Sequence, residues 1–207
     1  MGLIEEYSYS FSFLIWKVKE HGMEEKELRW VRKAKKGNQK ALNKLLKSHY
    51  SRIYTLAYSY VKNESDSLDV VQEAAFRAAT KLPQLRQEEY FSTWLNRIVM
   101  NEAKRLLVRR KRDEDNQVKD DSVLEKLPNQ NKKMASEFQL LDEIHELEKK
   151  YQEILLLFYF NDLSIREIAD LLEVNENTVK TRLVRGREKL KKRLILMGYE
   201  RDDMDGK

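Results

Sequence analysis

Apolar residues recur at steps of three and four along most of the chain, which is the spacing of one face of an α-helix. A first short stripe holds Leu28 and Val31 and ends at Lys35-Lys36-Gly37-Asn38. A longer second stripe contains Leu42, Leu45, Leu46, His49, Ile53, Leu56, Ala57 and Tyr60. Asn63-Glu64-Ser65-Asp66 then supplies N-cap candidates for a third helix, whose stripe is Leu68, Val71, Ala75, Ala78 and Leu82. The pattern predicts three consecutive helices, the last of them stopped by Pro83.

A fourth helix is predicted after a loop at residues 84–90. Its inward positions are Phe91, Trp94, Leu95, Ile98, Val99, Ala103 and Leu106. We expect Trp94 to lie in the core, because large aromatic residues at helical spacing are usually buried. The helix is predicted to end in a basic run of Lys104, Arg105, Arg109, Arg110, Lys111 and Arg112.

Residues 113–136 lose this periodicity and gain Asp, Asn, Gln and Lys, which predicts a flexible polar linker. A second helical unit follows, with one continuous stripe of Leu140, Ile144, Leu147, Tyr151, Ile154, Leu155 and Phe158 that Asn161-Asp162 breaks. Ser164-Ile165-Arg166-Glu167 has the form of a capping box and opens a short helix through Leu172. A turn at residues 173–175 precedes a last long helix, expected from about Asn177 to Leu196.

These elements predict an all-α fold of two small domains. A four-helix domain covers residues 23–112, the linker covers 113–136, a helix-turn-helix domain covers 137–197, and 198–207 form a tail. Composition agrees, since 6 Gly and 2 Pro in 207 residues are too few breakers for an all-β chain with frequent turns.

Residues 1–22 do not follow the helical pattern. Tyr7, Tyr9, Phe11 and Phe13 alternate with Ser in a strand-like period, but no partner strand is evident elsewhere. We hypothesise that the native product starts at Met23, and that residues 1–22 are a translated leader or a disordered extension.

Several kinds of chemistry are excluded by composition. The chain has no Cys, and its three His (His21, His49 and His145) lie far apart, so we expect no disulfide, metal site or cofactor. No apolar segment is long enough to cross a bilayer, and Glu5-Glu6 precede the first apolar run where a signal peptide would carry positive charge. The sequence therefore predicts a cytoplasmic protein.

The last helix carries the clearest functional pattern. Val179, Leu183, Gly186, Leu190 and Leu194 recur at inward spacing, which turns Lys180, Thr181, Arg182, Val184 and Arg185 to the other faces. A short capped helix, a tight turn and a basic amphipathic helix are typical of a helix-turn-helix that enters the major groove. The alternative is the solvated face of an ordinary three-helix unit.

The fourth helix carries a second candidate surface. Phe91 and Trp94 lie near its start, and Asn101, Lys104 and Arg105 follow further along. Aromatic, amide and basic side chains together can hold an unstacked base of single-stranded DNA by stacking and edge hydrogen bonds.

Two blocks of the sequence resemble the extracytoplasmic-function (ECF) sigma factors. Asp69-Val70-Val71-Gln72-Glu73, together with Phe91-Ser92-Thr93-Trp94-Leu95-Asn96-Arg97-Ile98 and Asn101, is similar to their domain 2. Leu163-Ser164-Ile165-Arg166-Glu167-Ile168-Ala169 through Thr178-Val179-Lys180-Thr181-Arg182-Leu183 is similar to their domain 4. The resemblance covers about residues 23–197 in the family's order.

The resemblance implies partners and roles for these residues. Core RNA polymerase would be bound through the clamp helices of its β′ subunit, and also through its β subunit, by a surface containing Asp69, Gln72, Glu73 and Phe76. The −10 promoter element would be held by the loop at residues 85–90 and by Trp94, Asn101, Lys104, Arg105 and Arg109. The −35 element would be read by Lys180, Thr181, Val184 and Arg185, with Arg182 on the DNA backbone.

The family also implies that the linker occupies the RNA exit path and that an anti-sigma factor masks both domains. No small-molecule substrate is implied. The chain departs from the family pattern at Ala75 and Thr80, where bulkier residues are common, at Glu173, where the turn often has Gly, and at Gly186, which replaces a usual Ala.

Two other classes of protein fit the sequence less well. A two-domain helix-turn-helix regulator that never engages polymerase would have no use for the acidic and amide face at residues 69–73. An enzyme would need more than the carboxylates of Glu146, Glu148 and Glu153, which have no matching nucleophile, His or phosphate loop.

Overall fold

The computed structural model describes residues 25–116 and 140–196, and within these ranges every regular element is helical. The first unit consists of α1 (Glu25–Lys35), α2 (Gln39–Val61), α3 (Glu64–Lys81) and α4 (Phe91–Asn116), with 3₁₀ turns at Leu82–Gln84 and Glu88–Tyr90. The second consists of helical residues 140–145, α5 (Lys149–Leu155) with a π-helical continuation (Leu156–Phe160), α6 (Ile165–Leu172) and α7 (Glu176–Leu196). The predicted all-α fold of two helical domains is confirmed.

Asparagine side chains begin two of the helices in the first unit. The Oδ1 atom of Asn38 accepts a hydrogen bond from the amide of Ala41 at 2.9 Å, and that of Asn63 accepts one from Asp66 at 3.0 Å. Both satisfy backbone donors that an α-helix leaves free in its first turn. The N-cap predicted at the Asn63 break is thus confirmed.

The stripe predicted for α3 is partly wrong. Val70, Val71, Ala74 and Ala78 are buried, whereas Leu68 and Ala75 are only half-buried. Small side chains at 74 and 78 let α3 pack closely against its neighbours α2 and α4. The prediction chose Ala75 instead of Ala74 because two adjacent alanines give the same apolar signal at either position.

The helix predicted to run unbroken through Leu140 and Phe158 is interrupted. Residues 146–148 form a turn, and α5 starts at Lys149. The buried amide of Gln152 donates hydrogen bonds to the carbonyls of His145 and Leu147, which the interruption would otherwise leave unpaired. This break depends on one polar side chain inside an apolar stripe, so periodicity alone did not predict it.

A second correction concerns the end of α4. The helix continues to Asn116, beyond residue 112 where the linker was predicted to begin. Residues 113–116 carry no apolar stripe, so periodicity did not predict that they are helical, but they also contain no Gly or Pro that would end the helix earlier. The rest of the predicted linker, the N-terminal extension and the tail lie outside the described residues.

The helix-turn-helix is built by local hydrogen bonds. The predicted capping box is confirmed: the Glu167 amide donates to the Ser164 hydroxyl, while the Glu167 carboxylate accepts from the Ser164 amide. Glu173 ends α6 in the left-handed region at φ 56°. Asn175 then caps α7 by accepting from the Thr178 amide at 2.7 Å, so this helix starts at Glu176.

The two units pack against each other through polar pairs. The Tyr60 hydroxyl donates to Glu153 at 2.5 Å, and the Thr93 hydroxyl donates to Glu167 at 2.6 Å. Arg52 Nη2 lies 2.7 Å from the Asp162 carboxylate. α2 and α4 of the first unit therefore face α5 and α6 of the second.

Candidate nucleic-acid interface

α7 separates a buried face from an exposed basic face. All five residues predicted to point inward are buried: Val179, Leu183, Gly186, Leu190 and Leu194. On the opposite side Lys180, Thr181, Val184 and Arg185 are exposed, and Arg182 is half-buried. Val184 is 49% exposed although it is apolar, as expected of a side chain that meets a partner such as a thymine methyl group.

α4 carries a row of polar residues at four-residue steps. Thr93, Arg97, Asn101, Arg105 and Arg109 follow one another along one side of the helix, and Asn101, Arg105 and Arg109 are exposed. Lys104 is exposed beside this row. The opposite side, with Phe91, Leu95, Val99, Met100 and Ala103, is buried. The helix thus presents an amide and several cations to solvent over one long stripe.

Trp94 lies between these two faces. It is half-buried, and its ring packs against that of Phe91 with centroids 5.8 Å apart. The expectation that Trp94 is a full core residue is therefore only partly met, because its side chain stays partly accessible.

The loop before α4 is anchored at one residue. Glu88 pairs with Arg32 at 2.9 Å and with Lys35 at 3.3 Å, both on α1. These donors lower the pKa of the Glu88 carboxyl, first of all through the Arg32 hydrogen bond, and the same pair raises the pKa of Arg32. Tyr90, at the end of the loop, is exposed.

α3 presents a mixed surface on the far side of the first unit. Asp69, Gln72 and Glu73 are exposed, and Phe76 beside them is 68% exposed. A large aromatic side chain in that position is costly to hydrate, so an apolar centre with an acidic rim is expected to be an interaction surface.

The start of the polar row on α4 is in contact with the second unit. Besides the Thr93 bond to Glu167, Arg97 donates to the backbone carbonyl of Asp170 at 3.0 Å. Sequence reasoning assigned no role to Thr93, Arg97 or Glu167 in joining the domains. Their interaction depends on how two separate units are oriented, which no local pattern reports.

Arg110 has a structural role within the basic run. It forms an ion pair with the buried carboxylate of Asp66, at the start of α3. This pair holds α4 against the first turn of α3, so part of the hydrogen-bonding capacity of Arg110 is used within the protein.

Other chemistry finds no support in the described part of the chain. Residues 25–116 and 140–196 contain no cluster of three His, Cys, Asp or Glu arranged to hold a metal ion. None of their helices is long and apolar enough to cross a membrane. Of the carboxylates once weighed for catalysis, Glu148 pairs with Lys150 at 2.6 Å and Lys189 at 3.1 Å, and Glu153 accepts from Tyr60.

Comparison with known proteins gives the same two blocks. The family model for Sigma-70 region 2 matches residues 45–113, and the model for Sigma-70, region 4 matches residues 137–190. The RNA polymerase sigma factor SigV of Bacillus subtilis is 36% identical over 137 residues, which cover 66% of this chain and 81% of SigV. The ECF RNA polymerase sigma factor SigW of the same organism is 30% identical over 178 residues, covering 79% and 94% of the two chains.

Solved structures share the fold at lower identity. CnrH, in complex with the cytosolic domain of CnrY, has a TM-score of 0.60 at 23% identity, covering 83% of this chain and 99% of CnrH. The sigma factor RpoE of Bartonella quintana, in complex with the anti-sigma factor NepR, has a TM-score of 0.58 at 19% identity, covering 77% and 97%.

The second unit has a helix-turn-helix with an exposed basic face, and the first unit has a polar and basic row on α4. These two features define the class as a two-domain DNA-binding transcription protein. The chain belongs to the ECF RNA polymerase sigma factors. It is a sigma factor that directs promoter-specific transcription initiation by RNA polymerase. Its relatives are transcription regulators rather than catalysts.

Proposed function

We propose that three separate faces of this sigma factor divide the work of initiation. The α3 surface around Phe76 binds core polymerase, the polar row of α4 holds the −10 element, and α7 reads the −35 element. The observation that carries the proposal is the exposure of Phe76, which is 68% exposed and is the most exposed large apolar side chain among residues 25–116.

The polymerase surface is supported by its chemistry. An exposed aromatic side chain surrounded by Asp69, Gln72 and Glu73 suits a basic partner with an apolar contact at its centre. Core polymerase is the partner that sigma factors bind, and the clamp helices of its β′ subunit are the element proposed to meet this surface.

The −35 surface is supported by the direction of the α7 side chains. Lys180, Thr181, Val184 and Arg185 project from the side of the helix that does not pack on the protein. Base edges in the major groove are read by such donors and by small apolar side chains. Arg182, at the margin of the same face, is placed to meet a backbone phosphate.

The −10 surface is supported by the exposed stripe of α4. Asn101 has the donor and acceptor pair needed to hydrogen-bond a flipped base, and Lys104, Arg105 and Arg109 continue the stripe as cations for neighbouring phosphates. Trp94 is only half-buried, which leaves part of its aromatic side chain available for stacking on a base. The loop at residues 85–90 is anchored to α1 by Glu88.

Further properties follow from family membership. We propose that the protein acts in the cytoplasm without enzymatic activity, cofactor or small-molecule substrate, and that a cognate anti-sigma factor controls it. The likeness in fold to RpoE, which was solved with the anti-sigma factor NepR, supports this last partner. The domain limits 23–112 and 137–197 remain part of the proposal, with α4 extending four residues beyond the first unit's limit.

The polymerase surface is tested by Phe76→Ala and Glu73→Lys in binding titrations with core RNA polymerase. Both variants should bind at least tenfold more weakly, since truncating a buried interface aromatic costs about 2 kcal/mol or more. Glu64→Lys is the matched control, because Glu64 is also exposed on α3 but lies nine residues earlier, on the opposite side of the helix.

The control variant should bind like the wild type, and circular dichroism should show all three variants equally helical. Unchanged polymerase affinity in both Phe76→Ala and Glu73→Lys would place the polymerase surface elsewhere on the molecule.

A further inference from the structure

A buried carboxylate links the two functional faces of the first unit. Glu102 on α4 is only 6% exposed. Its Oε1 atom lies 2.7 Å from Nε of Arg77, and its Oε2 atom lies 3.0 Å from Nη1 of Arg105. A buried carboxylate needs such partners, because moving a charge out of water without a partner of opposite charge is strongly unfavourable. Two arginines from different helices therefore share one anion.

The series of ion pairs extends to the α3 surface. Nη2 of Arg77 lies 2.8 Å from Oε1 of Glu73, one helical turn earlier on α3. The result is a chain of alternating charges, Glu73–Arg77–Glu102–Arg105. It begins at the proposed polymerase surface and ends in the proposed −10 surface, and its two central members are part of neither.

We propose that Glu102 is a positioning residue that couples polymerase binding at Glu73 to DNA binding at Arg105. This inference rests on the proposed placement of those two surfaces. When a cationic group of polymerase takes over Glu73, Arg77 is left with Glu102 as its anionic partner. Glu102 then holds Arg105 less tightly, and the Arg105 guanidinium becomes available to a phosphate.

The coupling also works in the opposite direction. A phosphate that takes Arg105 leaves Glu102 to Arg77, which in turn frees Glu73 for a cation on polymerase. Such reciprocity is required of any linkage between two binding equilibria. Because Glu102 is buried and Arg77 is mostly covered, salt screens this relay less than it screens exposed ion pairs. We expect a coupling factor of about five, at the low end of the usual range.

The experiment measures how DNA changes the affinity for polymerase. The dissociation constant of the fluorescently labelled full-length chain for core RNA polymerase is determined without and with a saturating single-stranded DNA oligonucleotide of mixed sequence. The ratio of the two constants is compared between variants, so contacts that polymerase itself makes with the oligonucleotide cancel. In Glu102→Gln the ratio should fall about fivefold below that of the wild type.

Glu143→Gln is the matched control. Glu143 is 7% exposed and is also paired with one arginine, with Arg193 Nε at 2.7 Å, but it lies in the second unit and joins no two functional surfaces. This variant loses a buried carboxylate of the same kind and should keep the wild-type ratio. A merely structural role of Glu102 would weaken both affinities together and leave the ratio unchanged.

Arg77→Gln provides a second route to the same answer. This substitution removes the link between Glu73 and Glu102 but leaves Glu102 paired with Arg105. It should also lower the ratio of dissociation constants. The test therefore stays decisive if Glu102→Gln does not fold. A wild-type ratio in folded Glu102→Gln or Arg77→Gln overturns the inference and leaves the proposed surfaces in place. Failure of the wild-type chain to bind core polymerase would overturn the proposed polymerase surface as well.

Discussion

Gly186 lies on the buried face of α7, where this helix crosses α5. A Cβ atom added there would lie 3.4 Å from Leu155 and 3.5 Å from Tyr151, which is ordinary van der Waals contact. Gly186→Ala should therefore stabilise the second unit by up to about 1 kcal/mol, because alanine restricts the unfolded chain and favours helix. Thermal and urea unfolding would measure this change.

The control for this prediction is Gly37→Ala. A Cβ at Gly37 would meet nothing within 4 Å, but the residue has φ +87°, which alanine adopts poorly. This substitution should destabilise the protein by about 1 kcal/mol, so the two replacements should have opposite signs. A destabilising Gly186→Ala beside a neutral Gly37→Ala would mean that space, rather than backbone conformation, decides both cases.

His49 and His145 make stability depend on pH. Burial is the main cause that lowers each pKa to about 4, and the nearby cations Arg52 and Lys62 add to it. Since these folded-state values lie below the unfolded value of about 6.5, the unfolded chain binds more protons between pH 6.5 and 4. The stability they provide is complete above pH 6.5 and is lost as the pH falls toward 4.

Urea unfolding at pH 7 and pH 5 tests this expectation. The free energy of unfolding should be lower at pH 5 than at pH 7 by about 2 kcal/mol for each histidine. His49→Gln should remove about half of that difference, because an amide does not titrate. An unaltered pH dependence in His49→Gln would show that other groups cause it.

At the scale of elements, the sequence predicted helices better than it predicted their ends. The inward face of α7 and the capping box of α6 were predicted residue by residue, because both are local patterns with a fixed spacing. The turn at residues 146–148 and the extension of α4 to Asn116 were not. The turn depends on the buried side chain of Gln152, which is a single polar residue in an apolar stripe. The extension of α4 has no apolar stripe in the sequence that would have predicted it.

Two arginines of α7 should differ in how they act on DNA. Arg185 is exposed on the reading face, whereas Arg182 is half-buried at its margin. Arg185→Ala should change base preference within the −35 element, at a cost of roughly 1–3 kcal/mol for the preferred sequence. Arg182→Ala should weaken binding evenly across sequences and reduce its dependence on salt.

A promoter library selected with each purified variant would separate these effects. Lys192→Ala serves as the control, because Lys192 is exposed on the same helix about two turns beyond Arg185. If Arg185→Ala and Arg182→Ala weaken all promoters equally, the reading face has been placed wrongly on α7.

At the scale of the whole molecule, the sequence predicted two domains but not the way they meet. The pairs Tyr60–Glu153 and Arg52–Asp162 join residues that are about one hundred positions apart in the chain. Each partner taken alone is an ordinary polar residue on a helix or a turn. Only the packed arrangement of both units shows that they belong together, and no periodicity in either unit contains that information.

If α4 holds the −10 element and α7 reads the −35 element as proposed, this packed arrangement is not expected to engage both at once. The −35 and −10 elements are named for positions some 25 base pairs apart, about 85 Å along straight B-form DNA. Here the Thr93 hydroxyl of α4 is 2.6 Å from Glu167 of α6. The 23 residues 117–139 between the units can reach roughly 80 Å when fully extended, which allows the two units to separate. We therefore expect the two units to come apart when the protein binds a promoter.

We accordingly expect Arg52→Glu to favour promoter binding. Reversing this charge replaces an attraction to Asp162 with a repulsion, and a surface pair of this kind contributes up to about 1 kcal/mol. If the packed form predominates, the apparent affinity of the polymerase complex for promoter DNA should rise by about two- to fivefold, in proportion to the population of separated units.

A distance measurement between fluorophores on the two units tests the same expectation. In the wild type the fluorophores should move apart on promoter binding, and in free Arg52→Glu they should be further apart than in the free wild type. Lys44→Glu, an equally charged change at an exposed position of the same helix, should alter neither measurement. Labels that stay close together in the promoter complex would contradict the requirement for separation itself.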